Sequence, residues 1–145
     1  MESEATSESR QEWQTGSKSE VDDLFRLRTQ RELRRRYLPF LKTLADFDIA
    51  CEVGFQEASG APLTVKQLML LDIAPAVTVF RRLERLCACG AVLRTRSNRD
   101  RRVHELRLAP DVHRMFGLFL GADGEARSLG TEPASATPHG IKMRA

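Results

Sequence analysis

The chain has 145 residues, with 23 lysines and arginines against 20 aspartates and glutamates and a formal net charge of +3. That length holds one compact domain plus tails, since independent domains run to about 100–150 residues, and it leaves no room for a second large one. No stretch approaches the ~18–20 consecutive apolar residues that span a bilayer, and the polar, acidic start lacks the hydrophobic core of a secretion signal, so a soluble, intracellular protein is expected. The small net charge hides an uneven distribution. Before Leu24 the acids Glu2, Glu4, Glu8, Glu12, Glu20, Asp22 and Asp23 outnumber Arg10 and Lys18, whereas Arg26 to Arg36 carries six arginines and one glutamate. From Arg81 to Arg107 the arginines at 81, 82, 85, 94, 96, 99, 101, 102 and 107 face only Glu84, Asp100 and Glu105. A local basic surface of that kind is the electrostatic footprint of a polyanion binder.

In chain order, residues 1–20 are rich in Ser, Glu, Thr and Gln with Trp13 as the sole large apolar group, too little to offset the entropy of ordering them, so a disordered acidic tail is expected. A first helix over Val21 to Tyr37 carries an incomplete stripe of Leu24, Leu27, Leu33 and Tyr37. Pro39 fits the first turn of a new helix or a kink. Phe40, Leu44, Phe47, Cys51 and Phe55 then recur at helical spacing and predict one broad apolar face on a helix reaching Glu57, ended by Ser59-Gly60-Ala61-Pro62. Residues 21–58 thus form an N-terminal helical unit.

Thr64 with Gln67 three residues on, flanked by Leu63 and Leu68, predicts a capping box and a hydrophobic staple opening a short helix, Val65 to about Asp72. Pro75 sits where a first helical residue would, and Val79, Leu83 and Leu86 bury one face of a second helix that Gly90 ends. Two extended runs, Ala91 to Arg96 and Val103 to Leu108, flank a charged tip and predict a β-hairpin in which Leu106 and Leu108 alternate with polar residues. Pro110 opens a last helix, with Val112, Met115, Phe116 and Phe119 on one face, expected to stop near Leu120. Residues 121–145, rich in Gly, Ser, Thr and Ala, are expected to be a second disordered tail.

Helix, short turn, helix, glycine and basic hairpin is the order of a winged helix-turn-helix over residues 63–120. The expected fold is therefore mainly α with a small β-hairpin (α+β) and an N-terminal helical extension. A helix of this diameter fits the B-DNA major groove, and Ala76, Thr78, Arg81, Arg82 and Arg85 lie opposite the buried stripe. Arg81 and Thr78 are the candidates for base readout, by a bidentate guanine contact and a thymine methyl contact, with Arg82 and Arg85 on phosphates. Arg94, Arg96, Arg99, Arg101 and Arg102 complete the set, Arg99 and Arg101 standing at a narrow tip suited to a minor groove. Phe80 either completes the core or stands exposed to stack against a sugar or a partner, and the core reading is favoured. The arginines from Arg26 to Arg36 track phosphates flanking the site, pair with the acidic tail, or solubilise a helix; the sequence leaves all three open.

Metal and enzyme chemistry find no motif. Cys51, Cys87 and Cys89 are an odd number, and Cys-Ala-Cys does not supply a four-ligand zinc site. Free, largely buried thiols are expected, since a redox switch needs an exposed cysteine of lowered pKa. His104 and His113 lie in different elements without companion ligands. No serine, histidine and carboxylate cluster, glycine-rich phosphate loop or paired-acid motif is present, so the reading is no enzyme, no metal and no cofactor.

The stretch LTVKQLMLLDIAPAVTVFRRLERLCACGAVLRTRSNRDRRVHELRLAP, Leu63 to Pro110, resembles the MarR family of transcriptional regulators. Thr78 to Leu83 with Leu86 is similar to that family's recognition helix, Gly90 to Arg94 to the start of its wing, and Asp100-Arg101-Arg102 through Leu108 to its wing and return strand. The resemblance implies a homodimer on double-stranded DNA, cytoplasmic and nucleoid-associated, with a small-molecule effector, of unknown identity, held between the dimerisation layer and the reading heads. It implies that Asp100 pairs with a wing arginine and fixes the tip's shape. The family dimerises through long N- and C-terminal helices; with a short last helix here, dimerisation falls on Val21 to Phe55. Ala74 stands where a hydroxyl or amide N-cap is usual, a loss of about 1 kcal/mol. An alternative from another class is a winged-helix module that docks on a protein, with only non-specific DNA affinity.

Overall fold

The computed structural model describes residues 17–129. The parts of both expected tails outside that range, residues 1–16 and 130–145, lie outside the described residues. Helix α1, Lys18–Tyr37, opens three residues earlier than expected because Ser17 caps it, its hydroxyl accepting from the Glu20 N–H at 3.2 Å. Residues 18–20 are therefore helical and do not belong to a tail. Only its C-terminal half enters the core: Thr29 and Leu33 are buried, while Val21, Leu24 and Leu27 are exposed.

Pro39 neither starts nor kinks a helix; it lies in the turn after α1, between the buried Leu38 and Phe40. Helix α2, Leu44–Ala58, begins instead at a second capping box. Thr43 Oγ1 accepts from the Asp46 N–H at 3.1 Å while Asp46 Oδ2 accepts from the Thr43 N–H at 3.1 Å. Its inward face also corrects the sequence reading. Asp46, Ile49, Ala50 and Val53 are buried, whereas Leu44 and Phe55 of the expected apolar stripe are each 64% exposed. The helix carries two apolar stripes, and periodicity alone does not say which of them meets the rest of the chain. Phe47, on the other stripe, is half-buried against Phe116 and Phe119, with ring centroids 6.1 and 6.0 Å away, and beneath the Arg34 guanidinium.

Helix α3, Val65–Met69, carries the predicted capping box in full, with Gln67 N–H to Thr64 Oγ1 at 3.2 Å and Thr64 N–H to Gln67 Oε1 at 2.9 Å. It ends short of Asp72, whose φ of +55° turns the chain toward helix α4, Ala76–Ala88. Pro75 is the N-cap of α4 and not its first residue, and no side chain caps the helix. Val79, Leu83 and Leu86 are buried as expected. Gly90, at φ +79°, closes α4 as the Ala91 N–H reaches back to the Leu86 carbonyl at 2.9 Å, a left-handed stop that a Cβ would strain.

Strands β1, Val92–Arg96, and β2, His104–Leu108, pair antiparallel with Val92 opposite Leu108 and Arg96 opposite His104. A bridge from Thr64 to Glu105, and the Leu106 N–H on the Leu63 carbonyl at 2.7 Å, tie the hairpin to the approach of α3. Helix α5, Pro110–Leu129, runs nine residues past the expected stop at Leu120. The glycine-rich stretch stays helical because Phe119, Ala122, Asp123 and Ala126 share one inward face, and Asp123 and Ala126 line a cleft against Phe25 and Thr29 of α1. Packing overrides the low helix propensity of Gly121 and Gly124. Asp123 is held by Arg127 at 2.8 Å.

Candidate nucleic-acid interface

The buried arc of α4 is narrow, so most of the helix faces outward. Ala76, Val77, Phe80 and Arg81 are exposed, Thr78 and Arg82 are half-buried, and Glu84 is exposed. Ala76, Thr78, Arg81 and Arg82 therefore stay on or beside the outer face, as expected. Val77, 65% exposed, was missed, and Phe80, 50% exposed, is not a core residue. Phe80 follows the buried Val79 by one step of about 100°, which carries it to the edge of the arc and out.

Arg85 does not point outward as a phosphate contact. Its Nη2 donates to Asp46 Oδ2 at 2.5 Å and to the Phe40 carbonyl at 2.9 Å. Asp46 is fully buried and also accepts from the Lys42 N–H at 2.8 Å, so one carboxylate both starts α2 and fastens α4 to it. The signal for this was in the sequence, as Thr43 and Asp46 at capping-box spacing, but the arginine partner lies 39 residues away.

The wing is built by its backbone. Ser97 is buried and its N–H donates to the Val103 carbonyl at 2.9 Å, while its Oγ accepts from the Arg99 N–H at 3.2 Å. Asp100 accepts from the Arg102 backbone N–H at 2.9 Å, and its carbonyl accepts from the Val103 N–H at 3.0 Å. Asp100 thus shapes the tip, as the resemblance implied, but through the backbone of Arg102 and not through a guanidinium. Arg96, Arg99, Arg101 and Arg102 are exposed. Among the described residues no ion pair occupies their guanidinium groups, nor those of Arg81 and Arg82. Arg94 differs: it pairs with Glu84 and joins β1 to the outer side of α4. Arg107 faces Glu105 at 3.3 Å and Glu57 at 3.6 Å. Glu57 in turn accepts from the Leu108 N–H and meets His113 Nε2, both at 3.0 Å, which locks the end of α2 to the root of the wing.

All three cysteines are free. Burial pushes the Cys51 thiol up to about 11, helped by Asp48 and Glu52, and burial raises the Cys87 thiol against the pull of Arg94. Cys89 is buried. These shifts run opposite to the activated thiolate that a redox switch requires. No cluster of three or more potential metal-ligating side chains occurs among the described residues, and no described helix is long and apolar enough to cross a membrane. An apolar cleft of about 250 Å³ opens between α2 and α5, walled by Phe47, Cys51, Phe55, His113, Phe116 and Phe119.

A helix preceded by a short helix and a turn, and followed by a basic antiparallel hairpin, defines a winged helix-turn-helix fold. No family model and no curated protein sequence matches the chain. Solved structures do. MepR from S. aureus, as a mutant, is 13% identical with a TM-score of 0.57, over 83% of this chain and 87% of that one. The transcriptional regulator Tm0710 from Thermotoga maritima is 22% identical with a TM-score of 0.56, over 79% and 81%. The reduced form of MarR from E. coli is 19% identical with a TM-score of 0.51, over 79% and 83%. The chain has the MarR-type winged-helix fold, and the likeness takes in the terminal helices as well as the stretch from Leu63 to Pro110.

Proposed function

We propose that this protein is a homodimeric, sequence-specific regulator of transcription that binds double-stranded DNA, with α4 in the major groove and the wing tip in the minor groove. One observation carries the reading: Arg81 on α4 and the cluster Arg96, Arg99, Arg101 and Arg102 on the wing are exposed and have no ion pair among the described residues, on the two elements that enter grooves in this architecture. Of the acids on the same surface, Glu84 is paired with Arg94, and Asp100 is turned to the backbone N–H of Arg102 among the arginines of the tip. The exposed Val21, Leu24 and Leu27 of α1 supply an apolar face for a second copy. A two-fold dimer then reads half-sites about one helical turn, ~34–36 Å, apart. Cytoplasmic location on the nucleoid follows from that activity.

The test is selection from a random duplex library, sequenced after retention on the purified protein at two salt concentrations, with Arg81→Ala and Arg101→Ala in parallel. An enriched palindrome that is relaxed in Arg81→Ala and weakened in Arg101→Ala is expected. Retention without any motif would favour a protein-docking module instead.

A further inference from the structure

The outward residues of the first two turns of α4 are Ala76, Val77, Phe80 and Arg81, and only Arg81 among them carries a hydrogen-bonding side chain. Thr78 and Arg82 are half-buried beside the arc, and Arg85 is turned away onto Asp46. Val77 and Phe80 are three apart, so their side chains are neighbours on the helix surface, with Arg81 four residues from Val77 alongside them. The N-terminal part of a recognition helix is the part that meets base edges. An apolar side chain cannot use the donor and acceptor code of the major groove. The one apolar group presented there by the four standard bases is the 5-methyl of thymine.

We infer that Val77 and Phe80 make α4 a reader of thymine methyl groups, next to a guanine contact from Arg81. The inference rests on the DNA-binding reading above. The occupant of this apolar patch is DNA and not a protein groove because of the charge beside it: Arg81 lies on the same face without an ion pair among the described residues, and the one acid bordering the patch, Glu84 a turn beyond Phe80, is paired with Arg94. Phe80 is half exposed and packs no deep core, so its removal leaves the fold in place.

The experiment uses the full chain and the operator obtained by selection. Duplexes are made in which deoxyuridine replaces thymidine at one symmetric pair of positions at a time, which deletes two methyl groups and leaves every hydrogen-bonding edge unchanged. At the positions under Val77 and Phe80, burial of one methyl corresponds to roughly fourfold in affinity, and the symmetric pair to roughly fifteenfold. Wild type is expected to lose that much at one or two positions. Phe80→Ala is expected to bind the thymidine operator more weakly and to be indifferent to deoxyuridine at its position, while Phe80→Leu keeps part of the discrimination. Circular dichroism and unchanged low-salt binding to unrelated duplex confirm that each variant is folded. If wild type finds a motif but no deoxyuridine pair changes affinity by more than twofold, the methyl reading is wrong and DNA binding stands. If Phe80→Ala still feels the methyl loss as wild type does, or binds the operator unweakened, Phe80 is not the reader and its patch serves another partner. If no motif is recovered, the underlying DNA-binding reading fails first.

Discussion

Replacing Asp46 by alanine removes three hydrogen bonds at once, from the N–H groups of Lys42 and Thr43 and from the Arg85 guanidinium. The two backbone donors lie near the surface and regain water, so each costs about 1 kcal/mol, toward the low end for a lost partner. The ion pair adds less than the 3–5 kcal/mol of a fully buried one, because the Arg85 side chain is 32% exposed and keeps its bond to the Phe40 carbonyl. A total of about 3–4 kcal/mol is expected, a large part of the 5–15 kcal/mol that holds a typical domain. Arg85→Met should cost a similar amount for the opposite reason, since it strands a carboxylate with no exposure to solvent. In the double variant neither charge is left alone, so the losses should fall short of additive by about 1–3 kcal/mol. Urea unfolding followed by circular dichroism, at one fixed protein concentration because association contributes to apparent stability, measures all three. A loss under about 1 kcal/mol for Asp46→Ala, or strict additivity, would refute the account.

Three further outcomes follow. Arg101→Ala should flatten the dependence of log affinity on log salt by about 2 per dimer if each copy contacts one phosphate, while leaving the selected motif unchanged; an unaltered slope removes Arg101 from the phosphate contacts. Gly90→Ala puts a side chain at φ +79° where nothing lies within 4 Å of the new Cβ, so the cost is backbone strain alone. It should amount to about 1–2 kcal/mol in urea unfolding, and a neutral result would mean the turn adopts another conformation. The Cys51 thiol, raised from 9.0 to about 11, holds its proton more tightly folded than unfolded. Its contribution to stability is intact below the unfolded value and is lost as pH climbs from about 9 to 11. At pH 8, alkylation of Cys51 by iodoacetamide should accordingly be far slower in the folded protein than in urea; equal rates would contradict the shift.

The winged portion was legible because its signals are local. A capping box at Thr64 and Gln67, a glycine ending α4 and alternation in β2 each act over a few residues, and the structure carries all three. Where the reading departed from the structure, the deciding interaction was distant. The apolar stripe of α2 that turns inward depends on α4 and β2 lying beside Ile49 and Val53, which no periodicity reveals. The extension of α5 needed α1 as a partner before alanines and glycines registered as an interface. Arg85 looked like one more outward arginine until Asp46 arrived against it. At the candidate interface the charged residues were found readily because arginines are conspicuous in composition. Val77 was passed over, and Phe80 was assigned to the core ahead of the exposed alternative, because apolar residues on a helix are read first as core.

The bond between Arg94 and Glu84 changes how mutational data on this surface should be read. Deleting any unpaired arginine of the wing subtracts one positive charge. Deleting Arg94 does that and also uncovers a carboxylate on the outer side of α4, facing whatever polyanion approaches. In an alanine scan Arg94 can therefore score as the most sensitive position of the wing without ever touching a phosphate. Neutralising the acid, as Glu84→Gln, would tell the two cases apart: in that background the loss of Arg94 still weakens binding if it touches DNA, whereas a masking residue becomes dispensable once the acid it masks is gone.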